Sequence, residues 1–88
     1  MTARVTMYMT ASCPYCMMAE RLLRGKGAQI DKIRVDLEPQ LRIEMVARTR
    51  RRTVPQIYIG EHHIGGCDEL YALEREGKLD ALLASDAP

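Results

Sequence analysis

The sequence predicts an α/β fold in the order β-α-β-α-β-β-α, one four-stranded mixed sheet with helices on both faces. Three observations carry that prediction. Apolar residues alternate up to Met9 and then recur at helical spacing from Pro14 onward. A second alternation around Ile33 and Val35 leads into a second helical stretch opened by Pro39. After Thr53-Val54-Pro55, two short apolar runs flank Gly60, which is the mark of a hairpin. With 88 residues, the chain is below the ~150-residue yardstick per domain, so residues 1–88 are read as a single domain.

Taken in order, Arg4 to Met9 places Val5, Met7 and Met9 on one face and Arg4, Thr6 and Tyr8 on the other, as a strand does. The first helix starts at Pro14, whose missing N–H costs nothing in a first turn, and ends near Gly25 and Gly27. It turns Cys16, Ala19, Leu22 and Leu23 to one side. Ile33 and Val35 alternate with Lys32, Arg34 and Asp36, a pattern suited to an edge strand. The second helix carries Leu41, Met45 and Val46 inward and runs out into arginines. Gln56 to Ile59 reads as a third strand, Gly60-Glu61-His62 as a turn, and His63-Ile64 as a short fourth strand. A third helix runs from Cys67 to Glu76, with Gly77 as its stop, and Leu79, Leu82 and Leu83 pack a last short one. The helical crossover makes strands 1 and 2 parallel, whereas the hairpin makes strands 3 and 4 antiparallel. That arrangement is thioredoxin-like.

Composition narrows the function. The chain is 47% hydrophobic and 28% charged, which suits a folded globular domain and excludes disorder. No apolar run approaches the ~18 residues of a membrane span, and the N-terminus has no signal-peptide pattern, so a cytoplasmic location and no membrane partner are expected. The net charge of +1 conceals 11 Lys/Arg against 5 Asp/Glu in residues 1–60, and 2 against 7 in residues 61–88. The run Arg48-Thr49-Arg50-Arg51-Arg52 is either a nucleic-acid patch or a solvated helix end. Nucleic-acid stacking wants aromatics among the cations, and the four tyrosines all lie outside this run. The helix end is favoured, with no nucleic-acid partner.

Two of three cysteines form Cys13-Pro14-Tyr15-Cys16, between the first strand and the first helix. Without an export signal, C-x-x-C points to redox catalysis or metal binding. A helix N-terminus carries unpaired N–H groups and about +0.5 charge, so Cys13 sits where a thiolate is favoured. Cys16, one turn further in, is expected to be more buried and protonated, so Cys13 attacks and Cys16 resolves. Completion of a zinc site by Cys67, His62 or His63 is disfavoured. Structural zinc sites repeat paired ligands, whereas Cys67 stands alone. No metal is expected.

Cys13-Pro14-Tyr15-Cys16, Thr53-Val54-Pro55 and Gly65-Gly66-Cys67-Asp68-Glu69-Leu70 together resemble the glutaredoxin family, in its small bacterial dithiol form of the glutaredoxin 3 type. The resemblance runs from Val5 to about Leu83. It implies a glutathione-dependent thiol-disulfide oxidoreductase acting on protein-glutathione mixed disulfides and protein disulfides, with glutathione as co-substrate and a monomeric chain. It further implies a cis Pro55 after Thr53, leaving the Val54 backbone free to pair with the cysteinyl part of glutathione. The N–H groups at Gly66, Cys67 and Asp68 would hold the γ-glutamyl carboxylate, and the Asp68 side chain its ammonium group. Tyr15 would line the cleft. Arg42 matches a position that often reaches the glycine carboxylate, although it reads equally as a solvated helix-face arginine. Cys67 reads equally as a small residue packed beneath a helix start. One departure stands out: Thr10 replaces a lysine common in the family, and the Arg50–Arg52 cluster is the candidate replacement cation. The alternative is an iron-sulfur cluster-carrying dimer, but such relatives usually have C-G-F-S where this chain has C-P-Y-C.

Overall fold

The computed structural model describes residues 3–84. Strand β1 (Val5–Met9) leads into helix α1 (Pro14–Gly25), β2 (Ile30–Arg34), α2 (Pro39–Thr49), β3 (Gln56–Ile59), β4 (His62–Gly65), α3 (Cys67–Arg75) and α4 (Leu79–Ala84). The sheet order is β2-β1-β3-β4, with β1 and β2 parallel and both other pairings antiparallel. The thioredoxin-like arrangement expected from the sequence is therefore present, with β2 at one edge.

Two apolar layers clothe the sheet. On one face Val5, Met7, Ile57 and Ile59 meet Cys16, Ala19 and Leu23 of α1, Leu70 of α3, and Leu79 and Leu83 of α4. On the other face Tyr8, Tyr58 and Val35 close over Met45 of α2. Each fully buried leucine or methionine removes apolar area worth about 1.5–3 kcal/mol from water. Both layers thus hold the sheet that presents the loop ends.

Tyr8 lies on the face opposite Val5 and Met7, as expected, and is fully buried there because α2 covers that face. Two local expectations are corrected. Strand β2 starts at Ile30 and ends at Arg34, since parallel pairing with β1 sets Val5 opposite Ile30 and Met9 opposite Arg34. Val35 follows the strand, donating its N–H to the Met9 carbonyl at 3.0 Å. The hairpin turn is Gly60-Glu61, and His62 belongs to β4, with Gly60 at φ 60° as a tight two-residue turn demands.

The arginine run is the exposed end of α2, as favoured from sequence, and Arg48 within it also makes side-chain contacts. Arg48 stacks its guanidinium 4.3 Å from the centre of the Tyr58 ring and donates to the Tyr8 hydroxyl at 2.7 Å. Desolvation raises the Tyr8 pKa, Arg48 opposing it, so the phenol stays neutral and can also donate to Glu44 at 3.1 Å.

Candidate active site

The turn between β1 and α1 brings Cys13 to the N-cap of the helix. Its backbone is extended (φ −100°, ψ 110°), and its carbonyl accepts the Met17 N–H at 3.1 Å. Its Sγ accepts the Cys16 N–H at 3.2 Å, satisfying one of the donors a helix start leaves open. Cys13 is half-buried and Cys16 fully buried. Burial first, then the hydrogen bond and charge of Cys13, push the Cys16 thiol up to about 12, against a smaller opposing pull from the Thr10 backbone. The sulfur that can be reached and the one kept protonated are thereby distinguished.

Opposite the dithiol lies the Thr53-Val54-Pro55 loop, with a cis Val54–Pro55 bond as expected. The Cys13 thiol donates to the Val54 carbonyl at 3.7 Å. Gly66 packs so closely behind the loop that a Cβ there would lie 3.3 Å from the Pro55 carbonyl oxygen. Gly65 takes φ +111°, and a Cβ on it would meet the Glu69 carboxylate at 2.6 Å. Both glycines are thus needed for β4 to pass straight into α3 alongside the loop.

A cleft of about 390 Å³ opens between these segments. Tyr15 forms one wall, Thr53, Val54 and Pro55 a second, and Gly66, Cys67 and Asp68 a third. The structure therefore gathers seven of the sequence-predicted residues around one cavity beside Cys13. Arg42 is not among them. It lines a separate groove on α2 and donates to the Arg52 carbonyl at 3.1 Å, because α2 packs on the far layer of the sheet.

Sequence reasoning missed one wall residue, Glu69, and named Arg51 only within the Arg50–Arg52 cluster. Arg51 and Glu69 complete the cleft and pair with each other at 3.1 Å. Glu69 also accepts the Gly66 N–H at 2.6 Å, so of the three donors expected from sequence that one is occupied, leaving those of Cys67 and Asp68 for an incoming carboxylate. The Gly66 N–H, followed by Arg51, holds the Glu69 carboxyl below its usual range. A glutamate three residues past a helix N-cap was the available signal, since at that spacing its carboxylate can reach back to the N-cap N–H, the half of a capping box that a glycine N-cap allows.

A family model described as Glutaredoxin matches residues 5–64. The chain is 54% identical over 81 residues to a glutaredoxin of Pseudomonas aeruginosa, covering 92% of this chain and 96% of that protein. It is 48% identical to glutaredoxin 3 of Escherichia coli over 92% of its own length and 98% of the relative's. This chain belongs to the glutaredoxin family. A glutaredoxin from Brucella melitensis has a solution structure that superposes with a TM-score of 0.85 at 49% identity, covering 99% of this chain and 95% of the other. A buckwheat glutaredoxin crystallised as its glutathione complex superposes at 0.84 with 33% identity, covering 90% and 74%.

Glutaredoxins are thiol-disulfide oxidoreductases that use glutathione as a substrate, and the chain is accordingly a glutathione-dependent enzyme of that class. Among the described residues, no group of three or more His, Cys, Asp or Glu is gathered closely enough to hold a metal ion. His63, one of the ligands weighed from sequence, is engaged with Gln56 at 2.8 Å.

Proposed function

We propose that Cys13 is the nucleophile of this glutaredoxin, Cys16 its resolving thiol, and the cleft beside them the glutathione site. The observation that carries this reading is the asymmetry of the pair: an accessible sulfur at a helix N-cap, 3.2 Å from the N–H of a buried thiol raised to about 12. In the first half-reaction the Cys13 thiolate attacks the glutathione sulfur of a protein-glutathione mixed disulfide. The protein thiolate leaves and takes a proton from water, and Cys13 becomes glutathionylated. A second glutathione thiolate attacks that disulfide at the bound glutathione's sulfur, releasing oxidised glutathione and the Cys13 thiolate. With a protein disulfide, Cys13 forms the mixed disulfide and Cys16, once deprotonated, attacks the Cys13 sulfur. The second protein thiol leaves, and two glutathiones reduce the Cys13–Cys16 disulfide. Family potentials of about −200 to −230 mV lie near the glutathione poise of the cytosol, so both directions are open.

The cleft supplies the binding half. The Val54 backbone would pair with the cysteinyl part of glutathione, and the Cys67 and Asp68 N–H groups would take the γ-glutamyl carboxylate at the α3 N-terminus. Asp68 would hold the ammonium group, and Tyr15 would flank the chain. Arg51, at the cleft wall, would take over the carboxylate contact that the resemblance gave to Arg42. The buckwheat complex supports glutathione as the ligand.

The whole chain is read as a single domain, monomeric and cytoplasmic. Its partners are glutathione and glutathionylated or disulfide-containing proteins, with no nucleic acid, membrane or metal required. Among the described residues no helix is long and apolar enough to cross a membrane. A glutathione-coupled assay on a small mixed disulfide tests the roles: Cys13→Ser is expected to lose all activity, and Cys16→Ser to keep deglutathionylation while losing protein-disulfide reduction. Near-full activity of Cys13→Ser would overturn the assignment.

A further inference from the structure

Gln56 is a polar side chain in an otherwise apolar strand, and it is fully buried. Burial of an amide is tolerated only when its donors and acceptor are matched, and here they are. Its Nε2 donates to the Thr53 carbonyl at 2.9 Å and lies 3.4 Å from the Thr53 hydroxyl. Its Oε1 lies 2.8 Å from Nε2 of His63. With the amide nitrogen committed to Thr53, the oxygen must accept, so His63 carries its proton on Nε2. The imidazole is itself held by stacking on Tyr58, ring centres 5.0 Å apart, and Tyr58 in turn lies under the Arg48 guanidinium at 4.3 Å. Burial, followed by the charge of Arg51, lowers the His63 pKa, which favours the neutral ring with a single N–H.

The chain of donors ends on one atom of functional consequence. The Thr53 carbonyl and the Val54 N–H belong to the same planar trans peptide and point in opposite directions. Pulling that carbonyl inward onto a buried side chain turns the Val54 N–H outward, to the side where Thr53 and Val54 wall the cleft.

We propose that Gln56 is a positioning residue for glutathione, clamping the Thr53–Val54 peptide so that the Val54 N–H faces the substrate, with His63 locking the orientation of the Gln56 amide. This rests on the reading that glutathione pairs with Val54. Neither side chain touches the substrate, and both act through the loop. Their contribution is preorganisation: without the clamp the peptide samples other orientations, and binding must select the competent one.

The test is steady-state kinetics of Gln56→Met, His63→Phe, the double variant and Asp68→Ala, with Cys13 alkylation by iodoacetamide as a second readout that needs no glutathione. Gln56→Met is expected to raise the KM for glutathione roughly fivefold to tenfold, the loss of about one hydrogen bond. Its alkylation rate should stay within about twofold of wild type, because general loosening of the site would move both readouts. His63→Phe keeps the stack on Tyr58 and removes the donor, so it should raise KM less, and the double variant should be no worse than Gln56→Met. Unchanged KM in both single variants, or alkylation falling in step with KM, overturns the proposal. Should Gln56→Met fail to fold, His63→Phe decides alone: a raised KM with normal alkylation supports the clamp, and an unchanged KM overturns it. Asp68→Ala separates the two levels of the argument. If it raises KM while the Gln56 and His63 variants do not, the clamp is wrong and the cleft stands; if it too leaves KM unchanged, the glutathione cleft itself is misplaced.

Discussion

The raised Cys16 pKa has a direct chemical reading in selective alkylation. With the thiol near 12, pH 7.5 leaves roughly one Cys16 in 10⁴ to 10⁵ as thiolate. Only the thiolate is the effective nucleophile, and burial adds a steric barrier. Reduced protein treated with iodoacetamide at pH 7.5 and mapped by mass spectrometry should therefore carry the label on Cys13 before Cys16 is measurably modified. The coupling sharpens the expectation. Burial is the largest cause of the shift, but the hydrogen bond and charge of Cys13 also raise it. Cys13→Ser removes both sulfur contributions and leaves burial, so Cys16 should react faster in that variant than in wild type at pH 9. The same change occurs in catalysis: once Cys13 is held in a mixed disulfide its charge is gone, and Cys16 deprotonates more readily just when it must attack. Labelling of wild-type Cys16 within about tenfold of Cys13 at pH 7.5, or slower labelling of Cys16 in Cys13→Ser, would refute the assignment of roles by burial and coupling.

Other expectations follow from the cleft and its supports. Asp68→Ala should raise the KM for glutathione roughly 10- to 150-fold, the loss of a hydrogen bond to a charged group, while Cys13 alkylation changes little. Glu69→Gln should lower Tm at pH 7 by a few degrees, about 1 kcal/mol at most, because the capped Gly66 N–H keeps an acceptor and the Arg51 pair is half-exposed. A carboxyl held below its usual range stabilises the fold above that range and loses the contribution as pH falls through its folded value. The Tm gap between Glu69→Gln and wild type should accordingly narrow in melts recorded at successively lower pH, once the pH falls below the ordinary glutamate range. Arg48→Met should cost about 1 kcal/mol, read by urea unfolding, through loss of its stack on Tyr58 and its bond to Tyr8, with glutathione kinetics preserved.

Local sequence determined what depends on neighbours along the chain. The switch from alternation to helical spacing at Cys13-Pro14 placed a thiol at a helix start, and Pro14 and Gly60 marked the ends where they occur. Thr53-Val54-Pro55 and Gly65-Gly66-Cys67-Asp68 were legible as cleft segments because their family spacing is distinctive, and all seven of their residues apart from Gly65, with Tyr15, meet at one cavity. Long-range packing decided the rest. Periodicity tells which way a side chain faces but not how deeply a later element covers that face, so the full burial of Tyr8 follows only from the packing of α2 with Met45. Four arginines between 48 and 52 are equivalent by composition, yet Arg48 lies on Tyr58, Arg51 turns to Glu69 in the cleft, and Arg52 offers its carbonyl to Arg42. Gln56 read as an ordinary strand residue because its partners, the Thr53 carbonyl and the His63 ring, become neighbours only when the loop closes and the hairpin pairs. A hydrogen bond's worth depends on the burial and position of both its ends, and those are properties of the assembled sheet and helices, not of any stretch of chain read alone.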